Sequence, residues 1–146
     1  MKTLIIFFPS IESGGVEKNF FYLLNYFCKK FTKIIVITSS NIDKKKYPNK
    51  INFLSLNSIL FYNQGRIIKS IACFFLGLRL YSKEKKIILS FQSNIYSIIL
   101  SKIINSKIVI RLNTSPDKYI DTPLKKIIFK FFYNLSDGVI VNSFEF

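Results

Sequence analysis

Residues 86–112 read KIILSFQSNIYSIILSKIINSKIVIRL, and the spacing of apolar residues within them decides the fold. The first six (86–91, KIILSF) and the last six (107–112, KIVIRL) are nearly continuous runs of branched aliphatic residues, while 94–104 between them reads as a helix. Two strands joined through a helix must run parallel. A run that is apolar at successive positions, not at alternate ones, needs cover on both of its faces. The same unit recurs outward in both directions, with strand-like runs at 3–8 (TLIIFF), 33–38 (KIIVIT), 51–56 (INFLSL) and 138–142 (GVIVN). Val16, Phe20, Leu23, Leu24, Phe27 and Phe31 form one face of a helix after the first strand. Residues 64–82 read as another. Thr122 and Pro123 supply an N-cap and first-turn proline for a helix whose stripe is Leu124, Ile127, Ile128, Phe131 and Leu135. The expected fold is α/β, a doubly wound parallel sheet of about six strands with helices on both faces. Only residues 39–50, with Lys44, Lys45, Lys46 and Pro48, are too short and polar for a long helix and read as a solvated loop.

Composition narrows the function. At 146 residues the chain is one domain's worth. Its 49% apolar and 21% charged content excludes a disordered, collagen-like or disulfide-framework protein. The net charge of +14 invites a nucleic-acid reading, but 19 of the 22 cations are Lys and only three are Arg, and no recognised nucleic-acid motif is present. Ile, Lys, Phe and Asn fill 72 of 146 positions, a skew expected of A- and T-rich codons, so the charge is weak evidence of a partner. With no His, a His-based metal site, a His general base and a Ser-His triad are excluded. Cys28 and Cys73 lie in helical patterns without metal-ligand spacing and read as free buried thiols in a reducing cytoplasm. The apolar start, Leu4 to Phe8, stops at Pro9 and reads as a strand, not a signal peptide. Residues 70–78, SIACFFLGL, are half the ~20 residues a membrane span requires.

In an open parallel sheet, ligands bind beyond the carboxyl ends of the strands. Those ends carry Gly14, Gly15 and Glu17 after strand one, Gln92 and Asn94 after strand four, Arg111, Asn113, Thr114 and Ser115 at strand five, and Asn142 and Ser143 at strand six. Gly14-Gly15 before a helix lets backbone N–H groups approach an anion, although the G-x-G-x-x-G spacing of dinucleotide sites is absent. The pair serves equally as a tight connection, and Glu17 as a first-turn acid favoured by the helix dipole. Arg111 offers a planar fork for a phosphate or for sugar hydroxyls, or a partner for a nearby acid. Gln92 and Asn94 suit sugar hydroxyls, and Asn94 suits a helix cap.

Strand, loop, Ser13-Gly14-Gly15-Val16-Glu17-Lys18 and an amphipathic helix resemble the opening of the glycosyltransferase family 4-like N-terminal domain, the acceptor half of a GT-B enzyme. Residues 88–94 (ILSFQSN), 110–113 (IRLN) and 136–143 (SDGVIVNS) resemble its fourth, fifth and sixth strand segments. The resemblance implies a Rossmann-like sheet and a retaining transferase that joins sugar from a nucleotide-sugar co-substrate to a glycan or lipid-linked acceptor in polysaccharide biosynthesis, with no metal or other cofactor. It implies that Gly14 and Gly15 approach the donor across a cleft, that Glu17 steadies that loop or touches the acceptor, and that Gln92, Asn94, Arg111, Asn113 and Ser143 face substrate. Relatives commonly place a histidine in this half, and here there is none. The family's second, donor-binding domain has no counterpart in residues 1–146, and Ser143 caps what reads as a new helix three residues before Phe146. The chain is therefore expected to be a truncated or split acceptor-side domain, inactive without its donor-binding half. The alternative is a non-catalytic acceptor- or membrane-docking subunit that partners a separate donor-binding chain. A cytoplasmic place is expected, peripheral at the inner face of an anionic membrane if Lys126, Phe129, Lys130 and Tyr133 project away from the core.

Overall fold

The computed structural model describes residues 3–11, 14–43, 47–56, 64–113 and 120–141. Six strands form one sheet: β1 (Thr3–Phe7), β2 (Lys33–Thr38), β3 (Ile51–Ser55), β4 (Lys86–Ser90), β5 (Lys107–Leu112) and β6 (Gly138–Val141). Each strand expected from the sequence is present to within one residue. Their order is β3-β2-β1-β4-β5-β6 and every pairing is parallel. This is the Rossmann-like order, in which the direction of winding reverses between β1 and β4. The most apolar strand takes the centre: all five residues of β1 are buried, in register with Lys33–Ile37 on one side and Lys86–Ser90 on the other.

Alternate side chains leave the sheet on opposite faces, and each face has its own core. Leu4, Ile6, Phe8, Ile34, Val36, Leu89 and Phe91 pack with Phe20 and Leu24 of α1 (Gly15–Lys30). Phe20 is the pivot, meeting the rings of Phe8 and Phe91 edge-on at 5.3 and 5.5 Å. The opposite face, with Ile5, Phe7, Ile35, Ile37, Ile88, Ile108 and Ile110, is covered by α2 (Arg66–Leu78) and α3 (Asn94–Ile103). These two helices approach closely at Gly77, where a Cβ would overlap the Cδ2 of Leu100. No helix interrupts the described parts of the connection from β2 to β3, as its polarity predicts.

The fourth helix, α4 (Pro123–Tyr133), begins as expected, with the Thr122 hydroxyl accepting a hydrogen bond from Lys125 N–H at 3.3 Å. Its rotation departs from expectation. Phe132 and Tyr133 pack on the core beside α3, and Phe129 is half-buried, whereas the expected core stripe faces outward. Ile127 is 67% exposed, Phe131 62% and Leu124 68%. The helix is apolar nearly all round, so its sequence offers two stripes, and the aromatic one, which buries more area per residue, takes the protein side. At the neighbouring edge, β6 is anchored by Asp137, whose carboxylate accepts from Ile108 N–H at 2.7 Å and whose own N–H donates to the Ile108 carbonyl at 2.8 Å. Val139, Ile140 and Val141 remain exposed.

Candidate functional site

The carboxyl ends of β4 and β5 open into a cleft of about 480 Å³. Its floor is Phe91 to Asn94 and Arg111 to Asn113, Val16 and Arg66 reach it from the starts of α1 and α2, and Phe129 and Tyr133 of α4 wall one side. That size is ordinary for a small-molecule site. Gln92, Asn94, Arg111 and Asn113, separated by up to 21 positions in the chain, are thus gathered in one place, as their location at strand ends predicts.

Three of the four also tie the strand ends together. The Asn94 amide is a clip: its Nδ2 donates to the Arg111 carbonyl at 3.1 Å, and its Oδ1 lies 2.8 Å from the Ser90 hydroxyl. Asn113 Nδ2 donates back to the Phe91 carbonyl at 2.5 Å. Gln92 Oε1 accepts from Ser10 N–H at 3.3 Å, which joins the β4 loop to the β1 loop. Asn94 is the first residue of α3, and the N-cap is Ser93, held in the left-handed region at φ 57° and ψ 48°. The Ser93 hydroxyl reaches that of Ser70 on α2 at 2.6 Å. The ends of β1, β4 and β5 and the start of α2 therefore form one hydrogen-bonded rim.

Arg111 is the cation built into that rim. It is 5% exposed, and its guanidinium lies 5.2 Å from the centre of the Phe91 ring. Burial alone pulls its pKa down from the ordinary arginine value, yet arginine remains protonated at neutral pH. Arg66, the first residue of α2 and exposed, is also among the residues that line the cleft. No Asp or Glu is present among the described residues that line the cleft.

The remaining expected residues are placed differently. Gly14 and Gly15 are exposed at the start of α1, beside Val16 but not in the cleft lining. A Cβ on either would meet nothing, and the φ of 161° at Gly14 is extended backbone open to any residue, so no contact within the described residues demands glycine there. Glu17 is half-buried outside the cleft, and its charge, after burial, helps to raise the pKa of Tyr47. Ser143, with Thr114, Ser115 and Asn142, lies outside the described residues. Arg66 stands out in no sequence pattern, whereas Phe129 and Tyr133, expected to project away from the core, instead turn inward to the cleft. Position alone carried a signal for Arg66: helices that follow strands begin at the carboxyl edge, so Arg66 at the first position of α2 belongs beside Asn94 at the first position of α3. Phe129 and Tyr133 carried none, because the rotation of α4 decides their direction. Among the described residues, no group of three His, Cys, Asp or Glu is placed to hold a metal ion.

The architecture has a solved counterpart. The chain superposes on the crystal structure of Anabaena Alr3699/HepE, determined in complex with UDP and glucose, with a TM-score of 0.62. Sequence identity is 13%. The match takes in 97% of this chain and 38% of HepE, so the chain spans well under half of that protein's length. The likeness is one of fold. No protein-family model and no curated protein matches the sequence.

Proposed function

We propose that the chain is the acceptor-side half of a GT-B-type glycosyltransferase, one that takes sugar from a nucleotide-sugar and transfers it with retention to a glycan or lipid-linked acceptor. The observation that carries this reading is the cleft, where amide side chains suited to sugar hydroxyls and a buried guanidinium meet beyond the ends of β4 and β5, next to the point where the winding reverses. The fold shared with a protein that binds UDP and glucose supports it. In this reading the donor is gripped by a second domain outside residues 1–146, whether continuous with this chain or separate, and Gly14 and Gly15 face it. Transfer needs donor phosphates and acceptor confined together, and one wall of the cleft does not confine them.

The test supplies the purified chain with nucleotide-sugars and lipid-linked acceptors, alone and with a complementary donor-binding domain. Transfer only after complementation, abolished by Gly15→Trp, is the expected result. Turnover by the chain alone, or none in either arm, overturns the reading.

A peripheral place on an anionic membrane is part of the proposal. It is favoured by the exposed stripe of α4, Leu124, Ile127, Ile128 and Phe131, with Lys125, Lys126 and Lys130 exposed around it. No described helix is long and apolar enough to cross a membrane. Sedimentation with anionic-lipid vesicles should be lost in Ile127→Asn/Phe131→Asn and weakened in Lys126→Glu/Lys130→Glu. Equal binding by wild type and both variants would remove the membrane from the proposal.

A further inference from the structure

Three helices, α2, α3 and α4, lie side by side on one face of the sheet, with α3 packed against both neighbours. The sides they turn away from the sheet are apolar. On α2, Ile67, Ile71 and Phe75 recur at every fourth position, opposite buried Ser70, Cys73 and Leu76. Ile67 is 67% exposed and Phe75 62%. Ile103 of α3 is exposed as well, and beyond it lies the open Leu124, Ile127 and Phe131 stripe of α4. Neighbouring helix axes 8–10 Å apart put the outer stripes about 20 Å from each other, and a helix the length of α2 is about 20 Å long. The surface is therefore of the order of 400 Å², a size at which an exposed apolar patch marks a docking site.

Charge selects the occupant. None of the chain's eight acidic residues falls within α2, α3 or α4, while Lys102, Lys126 and Lys130 are exposed on them and Arg79 is exposed at the end of α2. Lysine is common throughout the chain, so the sorting carries the argument: an aliphatic surface rimmed by cations, with no acid on its helices, complements an anionic bilayer. A second copy would bring the same positive charge against it. On the opposite layer, α1 carries Glu17, and its large exposed side chains are Phe21, Tyr22 and Tyr26, with no exposed aliphatic among them.

We propose that α2 joins α4 in a single membrane-binding face, with Ile67, Ile71 and Phe75 entering the interface of an anionic bilayer together with the α4 stripe. The inference rests on the membrane reading of α4 and extends it to a second helix and to an orientation. The sheet lies parallel to the lipid surface, and its carboxyl edge, with the cleft, opens along the membrane. Phe129 and Tyr133 wall the cleft from the other side of α4, so the cleft stands one helix diameter, about 10 Å, from the lipid.

The chain contains no Trp, so a single introduced indole reports its own position. Phe75→Trp, Phe131→Trp and, on the opposite layer, Tyr22→Trp are titrated with vesicles of equal parts phosphatidylglycerol and phosphatidylcholine, with and without brominated acyl chains. Emission from positions 75 and 131 should shift to the blue and be quenched by bromine, and emission from position 22 should do neither. In sedimentation, Ile67→Asn/Phe75→Asn should weaken binding about tenfold or more, and vesicles of phosphatidylcholine alone should bind more weakly than anionic ones. If the asparagine pair fails to fold, the indole variants decide. Quenching at only one position overturns the shared face: at 131 alone it leaves α4 on the membrane, and at 75 alone it removes α4. Quenching at neither, or no sedimentation, removes the membrane from both helices. Equal binding to neutral vesicles overturns the anionic partner. A lipid-free dimer dissociated by Ile67→Asn/Phe75→Asn with vesicle binding intact would make the layer a contact between copies. A blue shift at position 75 produced by the donor-binding domain and not by lipid would give the layer to that domain, and either result overturns the proposal.

Discussion

Asn94 bridges a hydroxyl on β4 and a carbonyl on β5 with one amide, so both of its ends are used by the protein. A net hydrogen bond contributes about 1 kcal/mol, and Asn94→Ala should therefore lower stability by about 1–2 kcal/mol in urea titration. Asn94→Asp should be at least as damaging at neutral pH, because it turns the Arg111 carbonyl toward a second acceptor. A neutral effect of both changes would show that the clip does not hold the rim. Cys73 tests burial. Its side chain is fully enclosed, and burial pushes its thiol up to about 12, against a smaller lowering by a hydrogen bond with Ser39. Native chain at pH 8 should therefore be alkylated at half-buried Cys28 and not at Cys73 until it is unfolded. The folded value lies above the unfolded one, so the stability linked to this proton is complete below the ordinary thiol range and drains away as pH rises toward 12. A urea midpoint that stays level from pH 9 upward would contradict this.

The elements were largely readable before the structure, and α4 marks the boundary of that reading. Continuous apolar runs give the strands, and Thr122-Pro123 gives the start of α4, because both signals are local. Its two apolar stripes are a different matter, since only the neighbours can choose between them. The choice observed leads to a paired prediction. Phe132→Ala, on the packed side, should cost about 2 kcal/mol in thermal or urea unfolding, less than a fully buried phenylalanine because the site is only partly enclosed. Ile127→Ala and Phe131→Ala, on the open side, should each stay within about 0.5 kcal/mol of wild type. The reverse ranking would mean that the helix sits as the sequence alone suggested.

At the scale of the whole molecule, 22 cationic against 8 acidic residues set up repulsion throughout the fold. Asp121 pairs with Lys125 at 2.7 Å in an exposed contact of the kind that contributes little. Raising ionic strength from 0.01 to 0.15 M shortens the screening distance from about 30 to about 8 Å, from longer than the domain's radius to shorter. The Tm should rise across that range in sodium chloride, with the structure otherwise unchanged by circular dichroism. A Tm that falls would mean that attractive pairs outweigh the net charge.

The residue order by itself determined the six strands, their parallel sense, and the edge of the sheet at which Gln92, Asn94, Arg111 and Asn113 would meet. Branched apolar runs and helix starts are properties of a few neighbouring residues, and a parallel sheet puts every strand-to-helix turn on one side. Tertiary structure alone decided that Asn94, Asn113 and Gln92 also serve as ties, because their partners stand 17, 22 and 82 positions away. It alone brought Arg66 to the cleft that Arg111 lines and turned Phe129 and Tyr133 of α4 into the cleft wall while leaving Ile127 and Phe131 outside. Those outcomes depend on which surfaces compete for burial once the sheet exists, and no local pattern records that competition.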